Sequence, residues 1–337
     1  VTSNIEHGGA LDKAIARFGG MPGDWLDLST GINPEHYPLP DIPAEVWNRL
    51  PDDRLLLGTC KLARDYYGLP EGAPIVAAPG TQALIQIIPS LTKPATVAIL
   101  TPTYQEHAVS FAASGWQVVE CAGIADIPDN ATVAVIVNPN NPDGRVIAAD
   151  ELLALARTLG ARGGFLVVDE AFADPHPEIS AAALACHEPL IVLKSFGKFF
   201  GLAGVRLGFA IAQAGIVETI ARRLGPWAVP GPALVIASGA FAGGETLQGF
   251  RTRIVLRRRG LSDVLGRCGL WEVGGTALFS LVAHDNAHGL YNALCAEHIL
   301  VRKFAYAPHW LRIGLANDDA DLARLESALK HCLGRAA

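Results

Sequence analysis

One short stretch of this chain gathers reactive side chains: Lys194-Ser195-Phe196-Gly197-Lys198-Phe199-Phe200-Gly201-Leu202-Ala203-Gly204-Val205-Arg206-Leu207-Gly208. Ser195 stands three residues before Lys198, and Arg206 eight residues after it. The small residues between them leave room for a planar ligand. A hydroxyl and a guanidinium so placed can hold a phosphate, the guanidinium by a two-pronged contact. Lys198 is flanked by Phe199 and Phe200. Semi-burial predicts an amine easier to deprotonate than a free lysine, as Schiff-base formation requires. Alone, a lysine beside aromatics more often packs its stem and leaves its head in water.

Three further segments carry polar groups to the ends of apolar runs. Pro79-Gly80-Thr81-Gln82 follows residues 75–78 and opens a helix. Free N–H groups at such a turn suit an anion, though an ordinary strand-to-helix turn looks the same. Asn138-Pro139-Asn140-Asn141-Pro142-Asp143-Gly144 follows residues 132–137 as a rigid polar turn. It is either a turn and nothing more, or a turn that offers Asn141 to a bound ring. Asp169-Glu170-Ala171-Phe172 follows residues 165–168. A carboxylate there can keep a pyridine nitrogen protonated and make the ring an electron sink, or it can cap a helix.

The elements that must position these groups alternate. Short β-branched runs fall at 75–78, 96–100, 132–137, 165–168, 190–193 and 207–211, with helix-like stretches at 81–91, 104–113 and 149–159. Runs this apolar suit strands buried on both faces. The pattern predicts an α/β fold, a mostly parallel sheet with helices on both faces. Ligands in such sheets sit at the carboxyl ends of the strands. A helix over 55–67, ended by Gly68, precedes the first run. Beyond 215, a helical stretch, prolines from Pro226 to Pro232 and a helix to about 259 lead to strand-like runs at 271–273, 278–282 and 311–313. A last helix is expected over 319–333. The domains expected are an N-terminal arm over 1–43 that joins the small domain, a large domain over 44–215 and a small α+β domain over 216–337. Residues 1–50, rich in Gly, Pro, Asp and Asn, are expected to run extended over a neighbouring surface.

Composition narrows the partners. The chain has 337 residues, half of them apolar and 18% charged, with a formal net charge of −6. That gives no basic footprint for nucleic acid. No apolar stretch is long enough to predict a membrane span. The six cysteines form no C-x-x-C pair, which predicts buried thiols in a reducing compartment and no metal site. No basic segment followed by an apolar one marks the first residues, so a cytoplasmic protein is expected.

Taken in order, these segments resemble the fold-type I pyridoxal-phosphate enzymes of the aminotransferase superfamily. The resemblance spans essentially the whole chain and is most specific in Ser-x-x-Lys-x7-Arg. It implies that Lys198 is the catalytic lysine that carries pyridoxal 5'-phosphate as a Schiff base. Asp169 would pair with the pyridine nitrogen and Asn141 would contact the ring hydroxyl. Tyr104 would stack on the ring, and Gly80, Thr81, Gln82, Ser195 and Arg206 would hold the phosphate. Arg312, in Trp310-Leu311-Arg312-Ile313, would grip the substrate α-carboxylate, and Arg302 a substrate phosphate. Two arginines with a short loop between them suit a small substrate that carries both anions. A homodimer with sites near the interface is also implied.

The arm narrows the resemblance. His7-Gly8-Gly9 with Trp25-Leu26-Asp27-Leu28-Ser29-Thr30-Gly31-Ile32-Asn33-Pro34 is similar to the threonine-phosphate decarboxylases of cobalamin synthesis, sisters of the histidinol-phosphate aminotransferases. It implies that His7 adds a donor to the substrate phosphate and that Gly31, Ile32 and Asn141 line the substrate. Two positions depart from the aminotransferase pattern: Phe172 stands where a tyrosine is usual, and Leu50 where a partner-subunit tyrosine reaches the cofactor. Both departures fit decarboxylation of L-threonine O-3-phosphate to (R)-1-amino-2-propanol O-2-phosphate. Amino transfer on the same fold is the alternative. A serine hydrolase with a lysine base would need a Lys-Thr-Gly strand, which is missing. An aminotransferase-like regulator would need an added DNA-binding domain.

Overall fold

Val, Ile, Leu and Ala in unbroken runs give strands with no solvent face, and the computed structural model, which describes residues 8–334, follows that rule. In chain order the strands are β1 (Leu26–Asp27), β2 (Ile75–Ala78), β3 (Thr96–Leu100), β4 (Gln117–Cys121), β5 (Ala131–Val137), β6 (Phe165–Asp169), β7 (Leu190–Ser195), β8 (Gly208–Ile211), β9 (Trp271–Thr276), β10 (Phe279–Ala283), β11 (Ile299–Leu300), β12 (Arg302–Lys303) and β13 (Trp310–Gly314). Two compact units form. One holds His36–Asn141 and Arg145–Gln248. The other holds the described residues up to Glu35, Pro142–Gly144 and the chain from Gly249.

The first unit is built on a seven-stranded sheet in the order β2-β8-β7-β6-β5-β3-β4. Strands β3 to β7 pair in parallel, and β8 runs antiparallel to both neighbours. This is the mostly parallel α/β sheet expected. Helices supply its covering layers. The helix Ala149–Ala161 buries Leu152, Leu155, Ala156 and Leu159, spaced by three and four residues as one helical stripe. Leu84, Ile85, Ile88 and Phe111 join Val97, Val133, Val135 and Val167 in one core cluster. Strand β4 escapes the sequence reading because it is an edge. Its pattern exposes Gln117 and Glu120, as edge strands often do.

Several element bounds differ from expectation for local reasons. The helix expected at 55 starts at Asp53, because the Asp52 carboxylate accepts the Leu55 N–H at 2.8 Å and caps it. The long helix expected before 259 is two, Gly231–Phe241 and Gly244–Arg267. The boundaries expected at 43/44 and 215/216 give way to divisions after Glu35 and Gln248. The helix Gly231–Phe241 stays with the sheet unit because Thr59, in the helix Asp53–Tyr66, donates to the Leu234 carbonyl at 3.2 Å.

The second unit carries a four-stranded antiparallel sheet, β12-β13-β10-β9. The helices Ala287–Ala296 and Asp319–Gly334 belong to it. The N-terminal segment, expected to be extended, is partly ordered as elements of this unit. It forms a helix over Leu11–Phe18 and then β1, which pairs in parallel with β11. Ala14, Trp25, Cys295 and Leu300 pack together beneath it. All six cysteines are free thiols. No helix among the described residues is long and apolar enough to cross a membrane.

A buried ion pair fastens the ends of β6 and β7. Lys194 Nζ lies 2.5 Å from Glu170 Oε2, and both side chains are nearly sealed from water. Glu170 also accepts Ser180 Oγ–H at 2.5 Å and the Ala181 N–H at 2.7 Å. Lys194 donates to Ser180 Oγ at 2.9 Å and stands over the Tyr67 ring. Removing one partner leaves a buried charge without its counter-charge. Lys194→Met should therefore cost about 3–5 kcal/mol in urea unfolding. The double variant Glu170→Gln/Lys194→Met should recover much of that loss, because a neutral amide still accepts the Ala181 N–H.

Candidate active site

The carboxyl ends of β6 and β7 carry Asp169 and Ser195, and Asp169 pairs with Leu193 across the ladder. Asp169 is 3% exposed. Its Oδ2 lies 3.0 Å from His107 Nε2, and its Oδ1 accepts the Ala171 N–H at 3.0 Å. The carboxylate is therefore fixed in direction before any ligand binds. His107 is as buried as Asp169 and lies in the helix Glu106–Ala113. Its ring meets the Tyr104 ring edge-on at 6.1 Å. Sequence reasoning missed His107.

Opposite chemistry gathers at the turn after β2. Gly80 has φ 81°, a left-handed conformation that favours glycine. A Cβ there would lie 2.6 Å from Arg206 Nη2, so only glycine lets the guanidinium come this close. Gly208 makes the same allowance for the Thr81 N–H, which a Cβ would meet at 2.7 Å. The first N–H groups of a helix have no acceptor within it, so Thr81 and Gln82 can offer theirs outward. The Gln82 side chain is engaged elsewhere. It donates to Glu106 at 2.9 Å and accepts from the Tyr104 hydroxyl at 3.3 Å. Gln82 thus has its backbone N–H for an anion, with its amide steadying Tyr104. Arg206 is exposed and holds φ 54°.

The asparagine-rich turn divides its labour. Asn138 bonds Ile147 through both amide atoms, at 3.1 and 2.8 Å. Asn140 accepts from Thr103 Oγ1 at 2.6 Å and donates to the Pro102 carbonyl at 2.8 Å. These two brace the turn, and the half-buried Asn141 is the one the sequence assigned to the ring. Lys198 is half-buried, with Nζ 5.9 Å from the centroid of the Phe172 ring. Phe172 is buried and brings no hydroxyl to that neighbourhood.

The second unit collects the two arginines. Arg302 and Arg312 are direct cross-strand partners on β12 and β13. Arg312 donates Nη2–H to the Ser29 carbonyl at 2.8 Å and lies over the Phe279 ring at 4.8 Å. Arg302 lies over Phe304 at 5.3 Å. The arm runs beside the end of β13, where the Gly314 N–H donates to the Leu28 carbonyl at 2.7 Å. Gly9 N–H donates to Ser29 Oγ at 2.7 Å. Gly31 is buried and Ile32 half-buried in the same segment. Burial pushes the Arg312 guanidinium down to about 10, and the like charge of Arg302 adds to the fall. Tyr306, which the sequence reading passed over, is pushed up to about 12 by burial, against the pull of Arg302 and Arg312. His7 lies outside the described residues.

A family model for aminotransferase class I and II matches residues 45–329. This chain belongs to that family. It is 48% identical over 332 residues to a threonine-phosphate decarboxylase of Sinorhizobium sp, covering 98% of each chain. It is 42% identical to a threonine-phosphate decarboxylase of Pseudomonas aeruginosa, over 96% of this chain and 97% of that one. Among solved structures, histidinol-phosphate aminotransferase from Sinorhizobium meliloti in complex with pyridoxal-5'-phosphate superposes with a TM-score of 0.81. It is 20% identical and covers all of this chain and 96% of its own.

The residues present fit the family's cofactor. A space that Cβ atoms at Gly80 and Gly208 would invade is edged by Arg206 and the Thr81 N–H, donors suited to a phosphate. A fixed carboxylate at Asp169 suits a protonated ring nitrogen, and Lys198 supplies an amine. Gly80→Ala should displace Arg206 and weaken binding of pyridoxal 5'-phosphate by about tenfold or more. That is the loss expected for one hydrogen bond to a charged group, roughly 1.5–3 kcal/mol. Fluorescence titration of the cofactor-free protein reads it. Lys198→Ala should abolish the visible band of the loaded enzyme, and a retained band would remove Lys198 from its role.

The arginine pair predicts a pH effect of its own. A bound dianion offsets the repulsion between the two guanidiniums. Inorganic phosphate should therefore raise the melting temperature at pH 8. Burial and Arg302 lower the proton affinity of Arg312 and a bound dianion raises it again, so the increment should fall only toward the alkaline end of the scan. A scan of Tm against pH, with and without phosphate, measures this.

Proposed function

We propose that this chain decarboxylates L-threonine O-3-phosphate to (R)-1-amino-2-propanol O-2-phosphate for cobalamin synthesis, with pyridoxal 5'-phosphate as cofactor. The observation that carries the reading is the pair Arg302 and Arg312, opposite one another on adjacent strands, one of them buried. Two fixed cations in register suit a small molecule with a phosphate at one end and a carboxylate at the other. Relatives at 48% and 42% identity carry the name threonine-phosphate decarboxylase, which supports the same substrate.

The bound cofactor supplies an electron sink for the bond that breaks at the substrate α-carbon. The rest is the work of side chains. Asp169, braced by His107 and the Ala171 N–H, keeps its carboxylate aimed at a ring nitrogen and favours that nitrogen's protonated form. Ser195, Arg206 and the amides of Thr81 and Gln82 hold the phosphate, Gly80 leaves it room while its own N–H donates to the Ala78 carbonyl, and Tyr104 stacks on the ring. Arg312 grips the carboxylate, Arg302 and His7 grip the substrate phosphate, and Gly31, Ile32 and Asn141 line the substrate. Only a bond held perpendicular to the conjugated plane is weakened, so the anion grips choose between loss of carbon dioxide and loss of the α-hydrogen. Lys198 Nζ returns a proton to the α-carbon after carbon dioxide leaves.

The same reading assigns the protein to the cytoplasm as a homodimer. Trp47, Leu50 and Leu57 are exposed by 61–64%, and this reading gives them to the partner. Sedimentation equilibrium checks the dimer. Feeding L-threonine O-3-phosphate to the loaded enzyme should release one carbon dioxide per amino alcohol phosphate formed. No carbon dioxide, with glutamate formed from 2-oxoglutarate and histidinol phosphate, would establish an aminotransferase instead. Arg312→Lys should lower kcat/KM by about a hundredfold, because a point charge replaces a two-pronged grip.

A further inference from the structure

The N-terminal arm lies against β13 and closes on Arg312, and every residue involved belongs to the second unit. The arm's backbone is pinned to two strands. Just past β1, the Leu28 N–H donates to the Leu300 carbonyl at 2.8 Å, and the Leu28 carbonyl accepts the Gly314 N–H at 2.7 Å. A Cβ on Gly314 would lie 2.5 Å from the Thr30 carbonyl oxygen, so a side chain there would lift the arm off β13. Ser29 stands between Leu28 and Thr30, and its carbonyl accepts Arg312 Nη2–H at 2.8 Å.

A short chain of hydrogen bonds fixes that carbonyl. Asp27 Oδ1 accepts the Ser29 N–H at 2.9 Å and the Ser29 Oγ–H at 2.6 Å. Ser29 Oγ in turn accepts the Gly9 N–H at 2.7 Å. An ionised carboxylate only accepts and a hydroxyl has one proton to give, so the chain runs one way, from Gly9 through Ser29 to Asp27. Gly8 packs against the same carbonyl. A Cβ there would lie 2.4 Å from the Ser29 carbonyl oxygen and 3.4 Å from Arg312 Nη2. Ser29 is 2% exposed and Arg312 6%, while Asp27 faces water. A carboxylate at the surface thus ties down a carbonyl in the interior.

The guanidinium is held on two sides, by the Ser29 carbonyl and by the Phe279 ring at 4.8 Å. A fork of donors recognises a carboxylate by direction as well as by charge. We propose that Asp27 and Ser29, with Gly8 and Gly9 against them, are positioning residues that set the direction of the Arg312 fork and so the orientation of the substrate carboxylate it grips. The proposal rests on the role given above to Arg312, and all four residues act through that side chain.

Kinetics of the loaded enzyme with L-threonine O-3-phosphate test it. Asp27→Ala should lower kcat/KM about tenfold, the scale of one hydrogen bond to a charged group. The loss should fall mainly on kcat, because a tilted carboxylate still binds. Asp27→Asn should keep most of the activity, since its amide oxygen still accepts from Ser29. Gly8→Ala, which presses on the same carbonyl, should act like Asp27→Ala. In an Arg312→Lys background, Asp27→Ala should lower kcat/KM by less than about twofold further, because the fork it aims is already gone. Equal losses in both backgrounds overturn the proposal, and so does an Asp27→Asn enzyme as poor as Asp27→Ala. A merely structural arm would lower the melting temperature and leave kcat and KM in place, which also overturns it. An Arg312→Lys enzyme with wild-type kcat/KM removes the grip and the proposal with it. If the chain transfers amino groups instead, the same cycle on glutamate, which also carries an α-carboxylate, decides the proposal separately from the reaction.

Discussion

The ion pair between Glu170 and Lys194 is the constraint on which the cofactor side depends. Each charge sits next in sequence to a group that the proposed reading gives to the cofactor, Glu170 after Asp169 and Lys194 before Ser195. Successive side chains point to opposite sides of a strand. Closing the pair on one side of β6 and β7 therefore fixes where Asp169 and Ser195 emerge on the other. Two buried charges are a costly fastener, and apolar packing could hold the strands as firmly. A charge pair with shared hydrogen bonds accepts one register only, and a site built from single atoms at strand ends needs that selectivity.

The substrate side is organised by repulsion. Arg302 and Arg312 face each other across a ladder position, and burial of Arg312 denies it water. The Ser29 carbonyl and the Phe279 ring face give partial compensation. Two guanidiniums held this close on adjacent strands favour an anion beside them, and the proposed reading gives that place to the substrate.

Much of this was legible in the sequence, for unequal reasons. Buried strands announce themselves through unbroken apolar runs, so β2, β3, β5, β6 and β7 and the groups at their ends could be read directly. Strand β4 could not, because its edge position gives it polar residues that resemble a loop. The N-terminal arm looked extended because β1 spans only two residues and draws its partner from β11, nearly the whole chain away. His107 was hidden because its role lies in a carboxylate 62 residues distant. Gly274 and Gly275 have no side chain to signal that the Asp143 and Gly144 backbone lies against them in the fold.

Arg206 shows a conflict that the fold does not resolve. It adopts a left-handed backbone at φ 54°, which costs a non-glycine residue about 1–2 kcal/mol. Glycine or asparagine would relieve the strain and make the folded chain more stable. Either would remove the guanidinium that Gly80 leaves room for. Thermostabilising design guided by backbone preference would single out this position first and, on the proposed reading, remove a grip on the cofactor phosphate by doing so. Position 206 belongs among those held fixed when such a chain is engineered for heat.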